Sequence, residues 1–228
     1  QYIDNLEGPE SCNSYNMLKL SEILSDETHD ARYADFYEST MFNHILSTQH
    51  PQTGGFVYFT SLRPQSYRIY STANVSLWCC VGTGWENHSR YAHFIYTRSA
   101  DNSTLYVNLF TPSELNADDF RLTQENSYPE RPSTKITLRK GGRFTLAIRH
   151  PWWTTDGYTV KVNGETVAID VKPGESAYAR VERDWHEGDV VEVSIPMELR
   201  YEECPDYPDY IAFKYGPILL GARTSAAS

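Results

Sequence analysis

The feature that most constrains the fold of this 228-residue chain is a change of hydrophobic period at Arg98-Ser99-Ala100-Asp101-Asn102-Ser103. Ahead of it, apolar residues recur at helical spacing; beyond it, they alternate in short runs separated by turn residues. Gly8-Pro9-Glu10-Ser11 carries turn and helix-start chemistry, and Met17, Leu20 and Leu24 predict the buried stripe of the helix that follows. A second helix is expected from about Asp30 to Thr48, with Tyr33, Phe36, Tyr37, Met41 and Ile45 facing inward, until Pro51-Gln52-Thr53-Gly54-Gly55 ends it. Phe56 to Phe59 reads as extended. Gly82-Thr83-Gly84 leads into a third helix through Trp85, Tyr91 and Ile95.

After the change of period, Leu105–Phe110, Lys135–Leu138, Arg143–Ile148 and Val190–Ile195 read as strands. Tyr158–Val162 and Thr166–Ile169 flank Asn163-Gly164, a hairpin signal. Many short strands at regular spacing predict a β-sandwich. The expected architecture is therefore α+β and multidomain: a helical part over 1–98 and an antiparallel β-sandwich over 99–228.

Charge narrows the partners. Twenty basic against 30 acidic residues give a net charge of −10, and neither part is basic, which argues against nucleic acid and anionic membranes. No apolar run approaches the roughly 18–20 residues that span a bilayer. Aromatic residues make up 14%, suited to sugar stacking but more to a β-rich core. Gln1-Tyr2-Ile3 shows no leader signature, and the chain stops just beyond Ile218-Leu219-Leu220, so it reads as a piece of something longer.

Chemistry concentrates in two segments, Glu10-Ser11-Cys12 and Trp78-Cys79-Cys80-Val81-Gly82, which hold three of the four cysteines and place Cys12 and Cys79 67 residues apart. Three thiolates and a carboxylate form a donor set suited to zinc. Glu10 and Cys12 cannot both face one ion from a regular helix, but they can from an extended or turn segment, and Pro9 favours one there. The adjacent Cys79 and Cys80 call for irregular backbone, which Gly82 and Gly84 can supply. Both segments precede a helix, whose N-terminus favours thiolates. Four readings stay open on spacing alone: a closed structural zinc site, a redox-active vicinal pair, ordinary buried cysteines, and a catalytic thiolate held by zinc. Cys204, without a local ligand partner, reads as a bystander.

The run Glu7-Gly8-Pro9-Glu10-Ser11-Cys12-Asn13-Ser14-Tyr15-Asn16-Met17-Leu18-Lys19-Leu20, with Cys79-Cys80-Val81-Gly82-Thr83-Gly84-Trp85-Glu86-Asn87-His88, closely resembles the bacterial β-L-arabinofuranosidase family, in its Bacteroides-type branch. Arg149-His150-Pro151-Trp152-Trp153 and Val160-Lys161-Val162-Asn163-Gly164 resemble the sandwich domain of that family more weakly. The resemblance implies the C-terminal part of an α/α helical barrel followed by a β-sandwich. It implies a retaining exo-glycosidase acting on arabinose-containing plant glycans, with Zn2+ as cofactor and a zinc-bound cysteine as nucleophile. Carried over residue by residue, the metal ligands are Glu10, Cys12, Cys79 and Cys80 and the nucleophile is Cys79; Tyr58 matches a sugar-contacting tyrosine of the family, with core packing as the equal alternative. The general acid/base glutamate of the family falls upstream of residue 1, so the fragment alone is expected to be inactive; Glu7 belongs to the metal motif and is not promoted to that role. A periplasmic or secreted location is plausible on the resemblance, which leaves oligomeric state open. Two readings compete: another exo-glycosidase on the same scaffold, since fold and nucleophile do not fix the sugar, and a non-catalytic, zinc-stabilised carbohydrate-binding or structural module.

Other residues weigh toward packing. His88 fits a structural histidine better than a catalytic one. Trp152 and Trp153 fit sandwich core better than sugar stacking. The sequons at Asn74, Asn87 and Asn102 read as chance matches.

Overall fold

The computed structural model describes residues 7–64 and 66–222. The start at Gln1-Tyr2-Ile3 and the last residues from Arg223 onward lie outside them. Three helices, α1 (Ser11–Thr28), α2 (Ala31–Thr40) and α3 (Cys79–Ser89), precede the thirteen strands found among the described residues. No helix among the described residues is long and apolar enough to cross a membrane. The chain forms two compact units: one of 7–20, 37–91 and 199–222, the other of 21–36 and 92–198.

In the second unit, β1 (Tyr96–Arg98), β2 (Thr104–Val107), β6 (Gly142–His150) and β9 (Ala177–Trp185) form one sheet in the order β1-β2-β6-β9. A six-stranded sheet in the order β3-β4-β5-β10-β7-β8 comprises β3 (Ser113–Asn116), β4 (Arg121–Glu125), β5 (Ser133–Leu138), β7 (Thr159–Val162), β8 (Glu165–Thr166) and β10 (Val190–Ser194). Their shared core holds Leu122, Ile136, Leu146, Ile148, Val160 and Val191, all fully buried. Burying each such side chain contributes about 1.5–3 kcal/mol. The sandwich is not wholly antiparallel, because β2 pairs with β6 in parallel. The chain leaves the first sheet after β2, builds β3 to β5 in the other sheet, and returns at β6, a crossover long enough for a parallel neighbour.

β6 is buried almost continuously from Phe144 to His150 rather than alternating, because both of its faces are covered. On the face away from the shared core, Arg149 Nη1 meets Asp35 Oδ1 of α2 at 2.6 Å, while His29 stacks on Tyr106 of β2 with centroids 4.4 Å apart. The expected hairpin is present. Asn163 and Gly164 both have positive φ (51° and 86°), the primed turn that matches strand twist. Its second strand is shorter than expected, ending at Thr166.

In the first unit, β11 (Leu199–Cys204), β12 (Tyr207–Tyr215) and β13 (Ile218–Leu219) form a third sheet, separate from the other two. Asn43 secures β13, donating to the Pro217 carbonyl and accepting from the Leu219 amide, both at 2.8 Å.

The helices depart from expectation in three places. The buried stripe of α1 is Cys12, Tyr15, Leu18, Ser21 and Ser25; Met17 and Leu20 are exposed and Leu24 is intermediate. Anchoring of Ser11 and Cys12 at the helix start sets this phase, overriding the larger apolar residues. The second helix is broken: α2 ends at Thr40, a π-helical turn spans Met41–Ile45, and a 3-10 turn closes at Thr48. Phe36 points outward, because Asp35 and Glu38 take buried positions on that helix. Finally, α3 begins at Cys79 itself, with Trp78 as its extended N-cap, so the cysteine pair is regular helix rather than irregular backbone.

Candidate metal centre

A short irregular scaffold assembles the centre. Glu10 bridges Phe59 in antiparallel fashion; the Ser11 amide donates to the Tyr58 carbonyl and the Thr60 amide to the Pro9 carbonyl, both at 3.0 Å. The Ser11 hydroxyl, buried, donates to the Val57 carbonyl at 3.0 Å. Gly8 makes this approach possible. It has φ of +74°, and a Cβ there would stand 2.2 Å from the Thr60 carbonyl oxygen. Glu10 therefore lies on the extended side of the α1 start and Cys12 on the helical side, which lets side chains two residues apart converge.

The N-termini of α1 and α3 both point their first turns into this place. Glu10, Cys12, Cys79 and Cys80 each bring one ligand atom, and these atoms all lie within 4.8 Å of one another. Cys12 Sγ is 3.1 Å from Cys80 Sγ, and Cys80 Sγ is 3.9 Å from Cys79 Sγ. Glu10 Oε1 stands 3.6 Å from Cys79 Sγ and 3.9 Å from Cys80 Sγ. The cluster could hold a metal ion.

The three sulfurs differ in exposure. Cys12 and Cys80 are buried, whereas Cys79 is exposed. Burial pushes the Cys12 thiol up from its ordinary range, partly opposed by a hydrogen bond with Thr83. The Cys79 thiol is pulled down, first by its hydrogen bond with the Tyr58 hydroxyl at 3.5 Å and then by that with Cys12. The same bond pushes the Tyr58 phenol up. Helix N-termini favour the thiolate form in the same direction.

Every residue singled out in the two cysteine segments is brought together here, with Tyr58 against Cys79. Cys204 lies in β11, outside the cluster, and Glu7 is exposed. His88 meets the Tyr91 hydroxyl through its Nδ1 at 2.5 Å and its ring stacks on Phe56, while its Nε2 is buried without a partner among the described residues. Trp153 is buried; Trp152 is exposed, its amide donating to Asp35. Thr83, which its sequence context does not single out, brings its hydroxyl 3.1 Å from Cys12 Sγ. The available signal was its place four residues after Cys79, on the same helix face.

Comparison with known proteins places these segments. Residues 2–93 match the beta-L-arabinofuranosidase, GH127 catalytic domain, and residues 104–197 match the GH127 middle domain. No curated protein matches. Among solved structures, a protein described as a glycoside hydrolase is 26% identical with a TM-score of 0.79, over 94% of this chain and 39% of that one. A GH127 beta-L-arabinofuranosidase from Geobacillus stearothermophilus T6 shares the fold at a TM-score of 0.75 and 24% identity, over 94% of this chain and 37% of that one. A GH127 beta-arabinofuranosidase is 26% identical at a TM-score of 0.74, over 95% and 38%. The chain thus spans about two fifths of the length of these structures.

Proposed function

The chain belongs to the GH127 beta-L-arabinofuranosidase family, and from that premise we propose that it is part of a retaining exo-β-L-arabinofuranosidase whose nucleophile is Cys79. The observation that carries the reading is the convergence of three sulfurs and one carboxylate with a single sulfur, that of Cys79, left exposed. We propose zinc as the ion, held by Glu10, Cys12, Cys79 and Cys80. Ligand distances of about 2.0–2.3 Å in a tetrahedral site place donor atoms about 3.5–4 Å apart. The contacts of 3.6, 3.9 and 3.9 Å fit that spacing, and the 3.1 Å pair needs only a small opening. When bound, zinc would keep the thiols ionised near neutral pH.

The chemistry then belongs to the chain's own residues. Cys79 Sγ attacks the anomeric carbon, a C–S bond forming as the glycosidic C–O bond breaks, and the departing oxygen takes a proton from a general acid. Water deprotonated by the same group then displaces the sulfur, so two inversions give net retention. We assign Tyr58, whose hydroxyl lies 3.5 Å from Cys79 Sγ, to contact the sugar ring and to hydrogen-bond the sulfur as it is released. We assign the acid/base to a part of the longer protein beyond this chain. The helices α1 to α3 are read as part of an α/α barrel completed there. We divide the chain into a catalytic part, 1–98, and a sandwich domain from 99, a boundary supported by family matches ending at 93 and beginning at 104. The expected extension of the sandwich to 228 is not supported, because the middle-domain match ends at 197 and β11 to β13 form a sheet of their own.

The test is a thiol-directed inactivator shaped like arabinofuranose, applied to the intact protein with its metal content measured. We expect a single adduct on Cys79, none on Cys204, and loss of hydrolysis with Cys79→Ser. About one zinc per chain with no adduct and full activity in Cys79→Ser would instead favour the zinc-stabilised binding module.

A further inference from the structure

The three sulfurs of the cluster also differ in which polar group reaches each. Cys80 Sγ faces the Tyr58 carbonyl, an acceptor, at 3.9 Å. Cys79 Sγ has the Tyr58 hydroxyl at 3.5 Å. Cys12 Sγ has the Thr83 hydroxyl at 3.1 Å, the shortest of the three. Thr83 stands one turn beyond Cys79 on α3, so one helix face carries both the exposed sulfur and the hydroxyl that reaches the buried one. The same hydroxyl lies 3.5 Å from the Cys79 carbonyl.

A threonine hydroxyl has one proton and two acceptors within reach here. A cysteine serving as a metal ligand is a thiolate and has no proton to give. The proton in the 3.1 Å contact must then be that of Thr83, and the longer contact to the carbonyl gives way. Hydrogen bonds to an ionised acceptor are the stronger kind.

We infer that Thr83 is the positioning residue for Cys12: its hydroxyl donates to the Cys12 thiolate and fixes that sulfur as a permanent ligand. The inference rests on the zinc reading above. It supplies a reason for the division of labour among like ligands. Cys12, buried and held by the shorter 3.1 Å contact, stays in place, while Cys79, exposed and with its hydroxyl partner at the longer 3.5 Å, is the sulfur free to attack. Groups just outside a metal's ligands commonly set ligand orientation and donor strength.

The experiment compares wild type, Thr83→Val and Thr83→Ser in the intact protein. Zinc affinity is read by competition with a chromophoric chelator, and the thiolate-to-metal charge-transfer band is read after cobalt(II) substitution. Thr83→Val is expected to weaken zinc binding about 10–100-fold. It should also move the cobalt band to lower energy, because a sulfur without its hydrogen bond holds its electrons less tightly. Thr83→Ser should restore both, which a purely packing role of the threonine methyl would not do. Zinc affinity within twofold of wild type and an unmoved band in Thr83→Val would overturn the inference, as would failure of Thr83→Ser to restore them. Should Thr83→Val fail to fold, Thr83→Ala removes the same hydroxyl with a better helix former and is judged by the same two readouts. A wild-type protein that takes up no zinc would overturn the metal reading itself. A zinc-loaded wild type with an indifferent Thr83→Val overturns only the role given to Thr83.

Discussion

The sandwich unit and the cluster unit are stabilised in different ways. In the sandwich, long ladders carry the backbone: β6 pairs with β9 over nine residues and β10 is paired on both sides. Some of its buried polar groups are joined in networks, as where Gln124 Nε2 reaches Tyr96, Leu109 and Thr111, each at 3.1 Å. Apart from the β11-β12-β13 sheet, the cluster unit relies on single bridges, at Glu10–Phe59, Gln49–Phe56 and Val57–Tyr70, and on a π turn. It exposes Leu77, Tyr67, Val75 and Trp85, each at least 74% accessible. Buried polar atoms without a partner among the described residues occur in both units, at His44 Nε2 and both amide atoms of Asn87 in this one and at His29 Nδ1, Thr123 Oγ1 and Thr154 Oγ1 in the sandwich unit. Regular pairing stabilises the sandwich unit through its own contacts, whereas the segments around the cluster give up pairing to aim side chains at one point. Local consistency is traded for chemistry where the chemistry sits.

The largest expected effect tests the claim that the sandwich unit is held by satisfied burial. Arg149 is fully buried; its Nε donates to the Asn108 carbonyl at 2.5 Å and its Nη1 to Asp35 at 2.6 Å. Asp35 also accepts from the Trp152 amide at 3.3 Å and from the Ser176 hydroxyl. Arg149→Ala leaves that carboxylate buried without its counter-charge, which costs about 3–5 kcal/mol. Urea unfolding should show this as a lowered midpoint, with part of the loss recovered when Asp35→Asn is added. A loss below about 1 kcal/mol, the range of a surface pair, would mean that burial in this unit is not what holds it.

A somewhat smaller effect belongs to the cluster unit and depends on pH. Burial lowers the His44 ring to about 4, with the Arg68 charge adding to the shift, and its Nδ1 is 2.8 Å from Ser14 Oγ. The unfolded ring titrates near its ordinary value of about 6.5. Above that value both states are neutral and no penalty exists. As pH falls from about 6.5 toward 4, the unfolded chain gains a proton that the folded one refuses, so stability falls, by roughly 3 kcal/mol in all, and levels off below. Unfolding of metal-stripped protein at pH 7.5, 5.5 and 4 should show this slope, and His44→Gln should flatten it. An unchanged slope in His44→Gln would assign the pH dependence elsewhere.

What the sequence could disclose divides along the same line. The change from helical to alternating period is local, so the strands β5, β6, β7 and β10 and the Asn163-Gly164 turn are legible from it. The meeting of the two cysteine segments is legible too, because three thiols and a glutamate beside helix starts carry their own chemistry. The partnership of Asp35 with Arg149, 114 residues apart, carries no such mark. Neither does Thr83: its role needs α3 to begin at Cys79, while the glycines after the pair argued for irregular backbone. The phase of α1 is hidden from local periodicity for a related reason. Anchoring of Ser11 and Cys12 outweighs the hydrophobicity of Met17 and Leu20, and local periodicity does not encode that anchoring.

The smallest effect tests whether those glycines serve packing or flexibility, and it separates two positions on one helix. Gly84 is buried against Phe56; a Cβ there would stand 2.4 Å from the ring, which itself stacks on His88. Gly82, two residues earlier, has nothing within 4 Å of an added Cβ. Gly84→Ala should overpack the contact at a cost of about 1–3 kcal/mol, only partly offset by the helical preference of alanine. Gly82→Ala should be neutral or stabilise by up to about 1 kcal/mol, since it meets open space inside a helix. If flexible backbone at the cysteine pair were what the glycines supply, both substitutions would lower thermal stability and zinc content together. If α3 must sit close on Phe56 to present Cys79 and Cys80, only Gly84→Ala will do so. Trimming the facing ring with Phe56→Leu should then recover part of what Gly84→Ala loses. Equal losses at the two positions would show that the cluster is held by the conformation of the α3 backbone rather than by its seating on Phe56.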